Sequence, residues 1–458
     1  MSDLTTATAR HEAFVTSMGQ RMTTLAHHLA AWATSAPHSL QDLEQMTLQR
    51  TKELGMALLA GRCQLRAPTA PLPQVPCSCG SFAAYQRQRA ISVQSLLGPI
   101  DFTRPDYLCS SCHTGFAPLD HDLQLAAGSI SAGLSDLHAL LGALDPFADA
   151  VDVLEKLTLL HVCATSGREA TEALGETIAT TEEEESAAAW EPTVQQLPPP
   201  PTRVPERLSI SMDGTMVHPE SDAWRELTLG ATETTRTVTP RKRPEQVEVR
   251  AELLSFVADI CDVEHGGQLL WLEACRRGGR EMAEVVALGD GAHWIWNLVK
   301  EQFPEALLIV DWYHATEYIH KAARAISGGG SDVSKLWAEA QVDALGDGEV
   351  ELVLEQVQAH ASGGKGAVTD AITYYTNNAG RMRYPEYRAR GVQIGSGSIE
   401  SGCTHVVGAR LNRAGMIWTV AGARAVAKVR ARLRSRRWDE TIAHRPPPRR
   451  HYRRRLAV

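Results

Sequence analysis

The stretch 282-MAEVVALGDGAHWIWNLVKEQFPEALLIVD-311 decides the fold of this chain. An apolar run to Leu288 meets a Gly-Asp-Gly turn, an amphipathic helix follows over 292–302, and a second apolar run over 306–310 ends at Asp311. Short apolar strands joined by a helix read as a parallel crossover. Upstream, 208–217, 224–232 and 247–256 read as three further strands, and 264–278 as a helix before the strand 282–288.

Three strands, helix, strand, helix, strand is the order of a ribonuclease-H-like α/β domain, whose sheet runs 3-2-1-4-5. The expected class is therefore multidomain α+β, with this catalytic domain over 207–314 and 391–440. A basic tail takes 441–458. Ahead of it come a helical region (1–66), a zinc-ribbon-like segment (67–122), a helix-turn-helix-like segment (123–182) and a linker (183–206).

Acidic residues fall at the strand ends of this plan. Alternation along LSISMDGTMVH puts Leu208, Ile210 and Met212 on one face and Ser209, Ser211 and Asp213 on the other. An Asp-Gly pair is also a common turn signal. Asp290 sits between two glycines just before a helix N-terminus, and Asp311 ends the next strand. In a 3-2-1-4-5 sheet the fourth strand adjoins the first, which favours Asp290 over Asp311 as the partner of Asp213. Asp311, His314 and Glu317 are then supporting, DNA-contacting or simply structural residues. Glu400, in QIGSGSIESGC, falls in the first turn of a helix for which Ser398 is the expected N-cap. Three carboxylates from separate elements suit Mg²⁺ or Mn²⁺, and phosphodiester chemistry uses two such ions about 3.5–4 Å apart.

The phrases SMDGTMV, LGDGAHWIWNL, DWYHATEYI, RMRYPEYRARGVQIGSGSIES and LNRAGMIWTVAGARAVAKVRARLRS resemble bacterial insertion-sequence transposases of the Kra type (ISKra), distant relatives of Mutator-like elements. The resemblance is close in the catalytic half and looser over 77–179. It implies a DDE transposase with Asp213, Asp290 and Glu400 as the metal-binding catalytic acids, and a helical insertion over 315–390, between the fifth strand and the Glu helix. It implies DNA partners (element terminal repeats and target DNA), a homo-oligomer by analogy, and a cytoplasmic, nucleoid-associated bacterial protein. Thr404 and Asn412 stand where the family usually carries basic residues.

Cys77-Ser-Cys79 and Cys109-Ser-Ser-Cys112 flank an expected hairpin (91–97 and 100–107) turning at Gly98-Pro99. Cysteine pairs at two turns joined by strands read as a structural Zn²⁺ site, with His113 an alternative ligand and free buried thiols the plainer reading. Cys63, Cys163, Cys261, Cys275 and Cys403 read as ordinary small residues.

Residues 8–35 carry Phe14, Met18, Met22, Leu25, Leu29 and Trp32 on one helical face, and a second helix is expected over 40–60. Between 145 and 179 an apolar helix, a Ser-Gly turn and a helix bearing Arg168, Thr171 and Thr177 read either as a helix-turn-helix or as a common helix pair. The run Glu182–Glu185 with the prolines at 198–201 reads as a solvated linker.

The net charge of −8 hides an asymmetry, because residues 381–458 hold 19 Lys+Arg against 4 Asp+Glu. Such a block either meets a polyanion or is a solvated tail. Expected DNA contacts are Arg381, Arg383, Arg410, Arg413, Arg424 and Arg430 on phosphates, His314 beside the acids, and Trp294 and Trp418 stacking on bases. Core packing is the plainer reading for the tryptophans, and above all for Trp296. With no signal-like N-terminus and no run of 18 apolar residues, a soluble intracellular protein without membrane contact is expected. A non-catalytic DNA-binding protein and a structure-selective nuclease remain the alternatives to a transposase.

Overall fold

In the computed structural model the described residues are 2–125, 130–191, 195–220, 224–238, 248–281, 284–329, 331–361, 366–443 and 452–453. They form a mixed α+β protein with two five-stranded sheets. The chain divides into two units, 1–170 with 444–458 and 171–443.

In the first unit, α1 (Ser2–Ser35) and α2 (Leu40–Arg66) are separated by a capping box. The Ser39 hydroxyl accepts from the Asp42 amide at 3.2 Å and the Asp42 carboxylate accepts from the Ser39 amide at 2.9 Å. Gly61 lies under the Phe14 ring, so the apolar stripe of α1 meets α2 where no Cβ intervenes. Strand β1 (Gln74–Pro76), the long hairpin β2 (Phe82–Ser95) and β3 (Gly98–Cys109), and β4 (Thr114–Phe116) form the first sheet, whose fifth strand is Tyr452–Arg453. The hairpin turns at Leu96-Leu97 rather than at Gly98-Pro99, since Ser95 pairs with Gly98 and Pro99 pairs with Gln94. Gly98, at φ +127°, supplies the conformation that closes the turn. The helices α3 (Pro118–Asp122), α4 (Ala132–Leu144) and α5 (Phe147–Thr158) follow.

Helix α6 (Ala164–Ala189) corrects the expected linker. The acidic run at 182–185 is helical, and Glu182, Glu183 and Glu185 in it have cationic partners. Glu182, only 7% exposed, accepts from Lys428 Nζ at 2.6 Å and from Arg432 at 2.9 Å. The extended proline segment begins only after this helix. Thr171, expected on a DNA-reading helix, is fully buried instead.

The second unit holds β5 (Arg207–Val217), β6 (Arg225–Val238), β7 (Glu248–Asp259), α7 (Val263–Arg276), β8 (Glu284–Gly289), α8 (His293–Gln302) and β9 (Leu307–Val310). Its sheet order is β7-β6-β5-β8-β9, which is 3-2-1-4-5 in chain order. The first three strands are antiparallel, and β8 and β9 run parallel to β5. Both faces are covered. Helix α7 packs over Met212 and Thr228 at Gly266, while on the other face Gly402 lies against Leu229 and Phe256. Ser209 and Ser211 share a face as the alternation predicts, but that face is interior.

The insertion is helical, with α9 (Trp312–Ser327), α10 (Asp332–Gly346), α11 (Val350–Gln358), α12 (Gly366–Asn378) and α13 (Tyr384–Ala389). It shares one apolar core with the sheet, through Ile319, Val353, Tyr375 and Tyr384. The chain closes with α14 (Gly397–Gly402), a π-helical turn (Cys403–Gly408), α15 (Ala409–Leu411), α16 (Val420–Arg434) and α17 (Trp438–Ala443). Most of the basic tail lies outside the described residues. No helix among the described residues is long and apolar enough to cross a membrane.

Candidate active site

Register alone brings the acids of β5, β8 and β9 level. Ser211 of β5 pairs in parallel with Leu288 of β8, so two residues on Asp213 stands beside Asp290. Gly289 pairs with Val310 of β9, so the next step sets Asp290 beside Asp311. Three carboxylates thus line the same rim of the sheet, where parallel strands end.

Each has a different environment. Asp213 is half-buried, and its Oδ1 accepts from the Gly214 amide at 2.8 Å while the Cys403 thiol lies 3.5 Å from its Oδ2. A Cβ on Gly214 would meet the Glu226 carboxylate, the far end of an exposed and flexible side chain that can swing aside. Asp290 Oδ1 accepts from the Ala292 amide at 2.8 Å at the entry to α8, and its other oxygen has no hydrogen-bond partner among the described residues. Asp311 is fully buried. It caps α9 by accepting from the His314 amide at 2.8 Å, lies 3.1 Å from His314 Nδ1, and accepts from the buried Ser396 amide through its second oxygen.

That last bond delivers the fourth acid. Asp311 and the 2.9 Å bond from the Trp312 amide to the Ile394 carbonyl pin the 394–396 segment at the rim. Helix α14 then starts at Gly397 and exposes Glu400 in its first turn. Ser398 is not the N-cap, since Ser396 holds that place, and the Ser398 hydroxyl instead bonds the Glu233 carboxylate. Carboxylate oxygens of Asp311 and Glu400 and a ring nitrogen of His314 all lie within 4.8 Å of one another. The strand order that favoured Asp290 is present, yet this tight three-residue group forms around Asp311, with Asp213 and Asp290 alongside.

Electrostatics mark the rim as deficient in positive charge. Burial pushes the Asp213 carboxyl above its ordinary range, and the Asp290 charge adds to this against the Gly214 amide and Cys403 thiol. Hydrogen bonding to Asp311 holds the His314 imidazole above its ordinary range despite burial, reinforced by the charges of Asp311, Asp290 and Asp213. Burial also opposes ionisation of Asp311, but its bonds from His314 and Ser396 outweigh this and keep it low. A divalent cation relieves crowding of this kind, and hard oxygen donors with one imidazole fit Mg²⁺ or Mn²⁺.

The insertion holds the Asp290 turn from below. Tyr374 donates its hydroxyl to the Asp290 carbonyl at 2.8 Å, and Asn378 reaches the Gly291 carbonyl at 3.4 Å while accepting from Trp296 Nε1 at 3.1 Å. Gly291 has φ +105°, and a Cβ there would stand 2.6 Å from the Tyr374 ring. Substituting Gly291 by alanine is therefore expected to lose about 1–3 kcal/mol in urea unfolding. A loss within experimental error would show that the turn relaxes freely.

Several expected DNA contacts are interior. Arg410 is fully buried with its guanidinium 4.7 Å over the Trp418 ring, and Trp418, 6% exposed, donates to the Leu411 carbonyl at 3.0 Å. Arg430 is buried and donates to the carbonyls of Val406 and His405. Arg424 is paired with Asp259 at 2.6 Å and with Glu183 at 3.0 Å. These residues bind the chain to itself, which corrects their reading as a phosphate track and a stacking face. Arg383 and Arg413 are exposed, Arg381 lies 4.8 Å over the Trp296 ring, and Trp294 is half-buried against the core.

Sequence reading missed Glu233, Tyr374, Asn378 and Cys403. Glu233 is 3% exposed on β6, and burial raises its carboxyl above the ordinary range despite bonds from Ser398 and Gln393. It holds the Glu400 segment from within the sheet. A single acid inside a threonine-rich strand carries no motif, so only the missing apolar residue at that alternation position marked it.

A family model described as an uncharacterised protein family, UPF0236, matches residues 277–440. That span includes Asp290, Asp311, His314 and Glu400, while Asp213 precedes it. No curated protein matches the chain.

Proposed function

We propose that this chain is a DNA transposase of the DDE type on a ribonuclease-H-like domain. It would cleave the ends of an insertion element and join the 3′-OH to target DNA. One observation carries this reading: four acids, from within β5, from the ends of β8 and β9 and from a later helix, meet at one rim. The resemblance to ISKra-type transposases points to the same residues. Asp213, Asp290 and Glu400 would hold Mg²⁺ or Mn²⁺, with Asp311 and His314 adjoining. When bound, the ions supply Lewis-acid activation of the attacking oxygen and charge stabilisation at phosphorus.

The chain's own part is positioning. Asp290 offers an oxygen with no competing hydrogen bond, and Asp213 keeps a raised carboxyl facing it. Asp311 ties the strand rim to the Glu400 segment. Arg383 and Arg413, both exposed, are the members of the expected set that would face a phosphate backbone, Arg413 while its Nε donates to the Ala409 carbonyl.

The test uses DNA bearing the native flanks of the coding sequence, with Mg²⁺ or Mn²⁺. Wild type is expected to bind, cleave and join, and Asp213→Asn to bind while losing more than about 100-fold in cleavage, beyond what a residue one shell from the metal accounts for. Undiminished cleavage by that variant would refute the metal-site assignment. Binding without cleavage by wild type would leave a non-catalytic DNA-binding protein, and cleavage without joining a nuclease.

A further inference from the structure

Four cysteines of the first unit, Cys77 and Cys79 from the turn after β1, Cys109 from the end of β3 and Cys112 from the β3–β4 turn, meet at one point. Their sulfurs all lie within 4.8 Å of one another, with Cys77–Cys112 and Cys79–Cys109 each at 3.6 Å. A disulfide would need about 2.05 Å. Sulfurs at the corners of a tetrahedron with metal–sulfur bonds of about 2.3 Å stand about 3.8 Å apart. The spacing is that of a metal cage.

The backbone turns at the two pairs match. Gly80, one residue after Cys79, has φ +85°, and His113, one residue after Cys112, has φ +54°. Each pair is thus followed at once by a left-handed residue that swings the chain away from the sulfurs. His113 is exposed and stands outside the thiol group, which removes it as a ligand.

We infer that the first unit binds one Zn²⁺ through Cys77, Cys79, Cys109 and Cys112, as a closed structural site. Four sulfur donors fill a tetrahedral shell and leave no position for substrate. On binding, each thiol releases its proton to solvent and becomes a thiolate ligand. The fold has a use for the ion, since the local core holds only Val75, Cys77, Ala83, Tyr107 and Cys109 as buried members. A cluster of that size needs a staple.

The experiment is metal analysis of the full chain purified without chelator, followed by Co²⁺ exchange. One zinc per chain is expected, and Co²⁺ should give the intense visible bands and sulfur-to-metal charge transfer of a tetrahedral thiolate site. Asp290→Asn should retain the zinc, separating this site from the carboxylate rim, and Cys163→Ser, outside the cluster, should also retain it. Cys79→Ser, at an exposed ligand, should weaken zinc at least about 10-fold against a competing chelator and diminish the charge-transfer band. Absence of stoichiometric zinc, a weak octahedral cobalt spectrum, zinc lost with Asp290→Asn, or unchanged zinc affinity in Cys79→Ser would each overturn the assignment. Because wild-type cobalt spectra read the ligand set directly, a variant that fails to fold does not remove the test.

Discussion

Replacing Lys428 with methionine is expected to destabilise the second unit by about 3–5 kcal/mol, the usual loss when one member of a buried ionic group is removed. Lys428 is 1% exposed, and its ammonium lies 2.6 Å from Glu182 and 2.7 Å from Asp259. Without it two carboxylates remain buried, each with only part of its compensation, from Arg432 and Arg424. Denaturant unfolding followed by circular dichroism reads the loss. The double replacement with Glu182→Gln should recover part of it, since one of the stranded charges is gone. A loss below about 1 kcal/mol would mean that water reaches these charges as it does a surface pair.

The same group sets an acid limit. Burial opposes ionisation of Glu182 and Asp259, but Lys428 with Arg432 and Arg424 outweighs it, so both folded carboxyls lie below their ordinary range. Their stabilisation is therefore fully present above the ordinary carboxylate range and is lost as pH falls through the lowered values.

Asp290→Asn and Asp311→Asn are expected to fail differently. The asparagine oxygen at 290 can still accept from Ala292, and the replaced oxygen had no protein partner among the described residues. Fold and DNA binding should survive while metal-dependent cleavage falls by more than about 100-fold. At 311 both oxygens accept amide hydrogens, from His314 and Ser396. An asparagine has one acceptor, so its NH₂ group meets a donor and a buried amide loses its partner, at about 1–3 kcal/mol. Asp311→Asn should thus lower the unfolding midpoint as well as the activity. Equal unfolding midpoints for the two variants, with a matching loss of cleavage, would make Asp311 a ligand on the same footing as Asp290.

Much of this rim was legible because period-two alternation and strand ends are local signals. The five strands and their 3-2-1-4-5 order follow from the apolar runs and the helices between them. What covers each face was not legible, because it depends on contacts between segments as far as 250 positions apart. Ser398 shows this well. It sits where an N-cap would, yet Glu233 on β6 takes its hydroxyl. Arginines at 410, 424 and 430 show it again, for a basic block has the same composition whether it meets phosphates or the chain's own acids, carbonyls and rings. That the two cysteine pairs would come together was readable in advance because spacing within a turn is a local property.

Helix α6 has a practical consequence for dissecting the protein. The prolines after residue 195 invite a cut there, to release the strands and acids as an independent piece. Such a fragment would leave behind Glu182 and Gly175, whose bare Cα lets Ala425 of α16 approach closely. It would expose Lys428 and a groove along α16 as a fresh sticky surface. A piece beginning at Thr171, where the second unit begins, keeps its own counter-charges. The acidic helix is then to be counted as an early-synthesised part of the domain it precedes, waiting for α16 to emerge some 240 residues later.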